Sequence, residues 1–280
     1  MQISFSLHKI NNENKFSFNP SDYSKFKFGD DLISENYGIS LAKKFIEQHL
    51  TSIQTIGQIV VISSPYAFIP TATFSLKTFF IYELNNWLSE QGFPVVQETK
   101  IHRTITYKED YGELNAEERI KLIGQDSFHI DKQFLQNKIL IFLDDIRITG
   151  SHEKMINKMI QEYDLTNHTY LLYFAELVNK NIHPNIENYL NYFYVKSVFD
   201  LDNIIKSDRF TINTRIVKYI LNVDSSSLKI FIQNQTSNFL SLLYNMAIGN
   251  NYHNIDAYKE NLCILKFQIE ELNKSNSVTV

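Results

Sequence analysis

The chain has 280 residues, a formal net charge of −4, 44% hydrophobic residues and 21% charged ones. That balance excludes bulk disorder, and the negative charge argues against general nucleic-acid binding. The single cysteine, Cys263, excludes an intramolecular disulfide and fits a reducing compartment, and its apolar helical surroundings predict a buried thiol.

The length allows one large α/β domain with an appendage, or two small domains. The opening residues, MQISFSLHKI, lack the basic start and apolar stretch of a signal peptide. No apolar run approaches the roughly 18 residues of a membrane span. A soluble, cytoplasmic protein is expected.

Residues 3–18 alternate well enough to predict a hairpin turning at Asn11 to Asn14, and Pro20 and Asp22 break the pattern. An aromatic and basic run, YSKFKFGDD from Tyr23 to Asp31, precedes a helical pattern over 33–50 with Leu41, Phe45 and Ile46 on one face. Gln58 to Ile62 (QIVVI) predicts a buried strand. It runs through Ser63-Ser64-Pro65-Tyr66-Ala67 into a helix over 71–90, whose Phe74, Phe79, Phe80, Leu84 and Trp87 fit core packing. After a turn at Gly92 and Pro94, Val95 to Ile101 predicts a third strand that ends in Lys100-Ile101-His102-Arg103. Residues 104–130 are polar and only partly periodic, as a flap or hood would be. One short helix is expected there from Asn115 to Leu122, where Asn115 and Glu118 have capping-box spacing.

The most informative stretch is Lys138 to His152, KILIFLDDIRITGSH. Five apolar residues without alternation suit a strand buried on both faces of a parallel sheet, and ligands bind beyond the carboxyl ends of such strands. There the chain places Asp144 and Asp145, then Thr149-Gly150-Ser151 at a helix start. Gly150 permits close backbone approach, the two hydroxyls can bond an anion, and the helix amides point at it. Two acids beside such a cradle suit a ligand with paired hydroxyls, or a metal, together with a phosphate. The alternative is a polar turn with solvated acids and Ser151 as a helix cap.

A helix over 152–163 and a fourth buried strand, Thr169 to Ala175, complete a strand-helix alternation that predicts a doubly wound, mainly parallel α/β sheet ending by about residue 178. From Asn179 on the pattern is all-helical, near 185–195, 200–206, 212–222, 226–248 and 254–273, with a disordered tail from Asn273. The expected division is therefore 1–178 and 179–280, the second part acting as a cap. Arg209 and Arg215 could reach the site from it.

The run Ile139 to His152 resembles the ribose-phosphate signature of the type I phosphoribosyltransferases, which bind phosphoribosyl pyrophosphate (PRPP). The run KFKFGD, Lys25 to Asp30, and the order Leu114, Glu118-Arg119, Gly124 and Phe128 are similar to the ComF-like subgroup. The resemblance implies a type I phosphoribosyltransferase-like sheet with a C-terminal all-helical extension. It implies that Asp144 and Asp145 hold the ribose hydroxyls and that Arg147, Ile148, Thr149, Gly150, Ser151 and His152 wrap the 5′-phosphate. The turn after the second strand, with Ser63, Ser64 and Tyr66, would hold the pyrophosphate, though a plain loop is the alternative because the turn lacks glycine. Lys100 and Arg103 would neutralise that leaving group. Magnesium would bridge ribose and pyrophosphate oxygens near Asp144 and Asp145. The sequence departs from the family at Ile148 and His152, where members often carry Thr, and the purine-type Asp at position 148 is missing. His152 then either adds a phosphate donor or is an exposed first-turn residue.

Two functions follow. One is transfer of the phosphoribosyl group to an acceptor with pyrophosphate as leaving group. The other is a regulatory module binding PRPP or a nucleotide without turnover. The expected partner is that small molecule, without membrane or strong nucleic-acid association, and a homodimer is allowed for.

Overall fold

The computed structural model describes residues 1–103 and 128–277. Seven strands lie in it: β1 (Gln2–Ile10), β2 (Ile59–Ser63), β3 (Gln97–Lys100), β4 (His102–Arg103), β5 (Phe128–His129), β6 (Ile139–Arg147) and β7 (Thr169–Leu177). Five form one sheet in the order β1-β7-β6-β2-β3, with every neighbouring pair parallel. The short β4 and β5 pair antiparallel beside it. Most of the expected flap, including its helix at Asn115 to Leu122, lies outside the described residues.

The central strands are apolar throughout because each face of the sheet meets helices. Val61, Ile141, Leu143 and Leu172 pack on one face with Leu41, Phe45, Leu76 and Phe80. These come from α2 (Asp31–Phe45) and α3 (Ala72–Glu90), beside α1 (Pro20–Lys27). Val60, Ile62, Leu140, Phe142 and Leu171 pack on the other face with Leu135 and Met159, from α4 (Lys132–Leu135) and α5 (Ser151–Glu162). Each such side chain contributes about 1.5–3 kcal/mol on full burial, so the run Leu140 to Leu143 anchors the sheet.

The N-terminal segment corrects the hairpin expectation. Gln2–Ile10 is a single edge strand, registered Gln2↔Thr169 through Ile10↔Leu177. The alternation of residues 3–18 fits a strand whichever partner it finds, and here the partner is distant in sequence. Phe16 and Phe18 instead pack as rings, Phe16 stacked on Tyr189 and Phe18 edge-on to Phe174. Pro20 begins a helix rather than only breaking a pattern. It stands in the first turn, where no amide partner is required, and the Asn19 side chain accepts from Ser21 N.

After β7 the chain is helical: α6 (Ile186–Asn191), a short 3₁₀ turn (Val198–Leu201), α7 (Asp202–Ile205), α8 (Thr214–Asn222), α9 (Ser225–Gln233), α10 (Ser237–Gly249) and α11 (Asp256–Ser277). The pattern expected as one stretch over 226–248 is two helices, because Thr236 accepts from Phe239 N and caps a new start. The helix expected to end at 273 continues through Ser277. Cys263 is exposed, not buried. The inward stripe of α11 carries Tyr258, Leu262 and Leu265, which leaves Cys263 on the solvent side. The helices share a core with two residues of the sheet-bearing part, Phe28 and Ile69. Among the described residues, no helix is long and apolar enough to cross a membrane.

Candidate functional site

From β2 the chain passes through α3 to β3, and from β6 through α5 to β7, so the two adjacent strands lead away in opposite directions. Such a switch point opens a crevice at the carboxyl ends of the strands. The pairing of β2 with β6 stops at Ser63↔Leu143, whereas β6 continues to Arg147 against β7. Asp144 and Asp145 lie in that half-paired stretch.

Because β6 stays extended through Arg147, successive side chains leave on opposite faces. Asp144 turns toward α5. It accepts from Ser64 Oγ (2.9 Å), from the Asp145 amide (3.0 Å) and from Thr73 Oγ1 (3.4 Å), and it lies 2.7 Å from His152 Nδ1. Burial alone would raise this carboxyl's pKa. The His152 imidazole, the hydrogen bonds from His152 and Ser64, and the more distant Lys27 outweigh burial and hold it well below the usual carboxylate range. Asp145 turns toward α1, where it pairs with the Lys27 ammonium and accepts from Tyr23 Oη at 2.6 Å and Thr73 Oγ1 at 3.2 Å. Burial, then the Asp145 charge, pushes the Tyr23 phenol well above its ordinary pKa, so it remains a donor.

The loop after β6 has the expected form. Gly150 adopts a left-handed conformation (φ 72°) immediately before α5, and Thr149 Oγ1 lies 2.7 Å from Ser151 Oγ. The Arg147 guanidinium is directed elsewhere, to Glu176 and to Glu153 (2.5 Å to Nε). Burial would lower its pKa, and these two carboxylates more than offset that. Ile148 packs against the main core. On the other side of the crevice, Ser63 is buried, Lys100 is its partner in β3, and the Lys100 ammonium lies 4.9 Å from the centre of the Tyr66 ring. The backbone of Arg103 belongs to the small ribbon with Phe128. A small, mostly apolar cleft opens between the ends of β2 and β6 and the α5 helix, with Ser64, Asp144 and His152 at its polar edge and Phe142, Met155 and Met159 along its apolar wall.

The structure thus brings Ser64, Asp144 and His152 together, with the Thr149–Ser151 loop leading directly into His152, and turns Asp145 and Arg147 to other charged partners. Arg209 pairs with Glu35 (2.6 Å), away from the acids. Three residues that bind the acids went unassigned in the sequence: Tyr23, Lys27 and Thr73. The signal for the first two was present, since positions 23 and 27 are one helical turn apart on α1 and share a face.

A magnesium ion held directly by both carboxylates does not fit this arrangement. Asp145 is neutralised by Lys27 and its remaining oxygen is bonded to Thr73. Among the described residues, no group of three or more His, Cys, Asp or Glu side chains could hold a metal.

The family model described as ComF-like phosphoribosyltransferase matches residues 1–265. No curated protein matches the chain significantly. Similar solved structures include the hypoxanthine-guanine phosphoribosyltransferase of L. donovani, at 13% identity and a TM-score of 0.33, covering 52% of this chain and 73% of that one. Another is the Trypanosoma cruzi hypoxanthine phosphoribosyltransferase in complex with the product IMP, at 12% identity and 0.35, covering 54% and 72%. A third is the Staphylococcus aureus hypoxanthine phosphoribosyltransferase, at 13% and 0.32, covering 51% and 74%.

Proposed function

The chain belongs to the ComF-like phosphoribosyltransferase family and has a type I phosphoribosyltransferase-like α/β fold with a C-terminal helical region, and on that premise we propose that it binds PRPP or a nucleoside 5′-phosphate and transfers the phosphoribosyl group with pyrophosphate as leaving group. The observation that carries this reading is the Asp144 carboxylate lining the cleft at the switch point, held by Ser64 and His152 next to a hydroxyl-glycine-hydroxyl loop that opens a 12-residue helix. The loop amides and hydroxyls, Thr149 to Ser151, would take the 5′-phosphate, with the positive end of the helix behind them. Asp144 would accept a ribose hydroxyl and steady positive charge developing on the sugar as the bond to pyrophosphate breaks. His152 orients Asp144. Ser64, Tyr66 and Lys100 would meet the pyrophosphate, with Arg103 as a further cation.

Should magnesium accompany the diphosphate, Asp144 would be the residue available to help hold it, since Asp145 is committed to Lys27. When bound it would supply charge neutralisation of the leaving group. A cytoplasmic setting and a homodimer belong to the same proposal. A second reading, a regulatory module that binds the same ligand without turnover, is favoured by the commitment of Asp145 to Lys27 and Tyr23. Fold alone does not choose between the two.

Calorimetric titration with PRPP, with and without magnesium, tests the site. Micromolar binding (about −8 kcal/mol) is expected, weakened roughly 10- to 100-fold by Asp144→Asn through loss of a charged acceptor. Unchanged affinity in that variant would sink the assignment. Pyrophosphate release on adding a panel of nucleobases and amines would establish transfer, and binding without release would establish the regulatory reading.

A further inference from the structure

The loop between β2 and α3, residues 64–71, is pinned at its two ends to the acid pair. Ser64 Oγ donates to Asp144, and Thr73, in the first turn of α3, donates to both acids. Its middle is gripped from the C-terminal helices. Asn250 Oδ1, just past the end of α10, accepts from the amides of Phe68 (3.0 Å) and Ile69 (3.2 Å). Thr214, at the start of α8, donates through its hydroxyl to the carbonyls of Ile69 (2.8 Å) and Pro70 (3.1 Å), and through its amide to Pro70 O (2.8 Å). The Phe68 ring lies against Gly249, where an added Cβ would come within 2.3 Å of it. Asn250 is 7% exposed, and Ile69 is fully buried in the helical core.

These contacts answer two questions together. A loop that approaches phosphate usually needs glycine to set its backbone, and this one has none. The side chains that satisfy its backbone groups come from positions 144 to 182 residues further along the chain. The amides of Phe68 and Ile69 are used by Asn250, so a ligand can meet only the earlier part of the loop, Ser64 to Ala67, beside Lys100.

We infer that the C-terminal helical extension is part of the ligand site, with Asn250, Thr214 and Gly249 as positioning residues that hold the 64–71 loop ready for the diphosphate end of the ligand. This rests on the PRPP-binding reading and goes beyond it by giving the extension a task. The helices act through the loop and touch no ligand themselves. Preorganisation of this kind lowers the ordering cost of binding.

The test separates the two ends of the ligand. Titrations with inorganic pyrophosphate and with ribose 5-phosphate are compared across wild type, Asn250→Ala, Asn250→Asp and Gly249→Ala. Asn250→Asp keeps the accepting oxygen; Gly249→Ala displaces only the half-exposed Phe68 ring, so both should fold. Pyrophosphate binding is expected to weaken about tenfold in Asn250→Ala and Gly249→Ala, a change of about 1.4 kcal/mol, with ribose 5-phosphate binding unchanged and Asn250→Asp restoring most of the loss. Hydrogen exchange at residues 64–71 should rise in the same two variants. Equal loss for both ligands, or no loss for either, overturns the positioning role while leaving the PRPP site intact. If wild type binds neither ligand, the PRPP reading fails and this inference fails with it.

Discussion

Lys27 is, with Lys77, one of two lysines buried among the described residues. It is 8% exposed, and its ammonium meets Asp145, which is 6% exposed. Two charges taken out of water gain little net stability as a pair, yet removing one leaves the other uncompensated. Lys27→Met is therefore expected to cost about 3–5 kcal/mol, and Lys27→Met/Asp145→Leu to recover most of it, as measured by denaturant unfolding. A double variant as unstable as the single one would mean that the cluster matters for more than charge balance. The neighbouring Asp144 differs in kind. Its partners His152 and Ser64 line the cleft, so ligand can replace them, whereas the partners of Asp145 are buried side chains of α1 (Tyr23 and Lys27) and α3 (Thr73).

At the scale of elements, two helices frame the crevice and do different work. The α5 helix presents its amino end behind Gly150, and only glycine takes the left-handed turn there without strain. The α3 helix is held against α2 by Gly38, where an added Cβ would fall 2.6 Å from the Leu76 carbonyl and 2.8 Å from Phe79 Cβ and the Phe80 amide. These are backbone and near-backbone atoms that cannot swing aside. Gly38→Ala should force the helices apart at a cost of about 1–3 kcal/mol, lowering Tm by several degrees. Since Thr73 sits in the first turn of α3, PRPP affinity should fall with it. A variant with wild-type Tm would show that the helices separate freely.

For the whole molecule, the question is whether the sheet and the helical extension are independent. Phe28 and Ile69 are buried in the helical core, Asp31 N and Thr211 N bond across the junction to Arg209 O and Gly29 O, and Gly29 approaches Thr211 O too closely to admit a side chain. A fragment of residues 1–178 would expose these groups and release the 64–71 loop. It is expected to lack a cooperative thermal transition, read by near-ultraviolet circular dichroism. A fragment that melts cooperatively near the Tm of the full chain would show that the extension is only appended.

What the sequence determined by itself is local or periodic. The apolar run of β6, the strand-helix alternation, the Gly150 turn and the helical character after residue 179 could all be read, because burial on both faces, helical spacing and positive φ leave marks in nearby residues. Only the tertiary structure decided the pairing of β1 with β7, the opposite directions of Asp144 and Asp145, the Lys27–Asp145 pair and the grip of Asn250 on Phe68 and Ile69. Each joins residues about 120 or more positions apart, or turns on whether a strand ends or continues past a carboxylate. Neither leaves a local pattern, since packing elsewhere in the chain decides both.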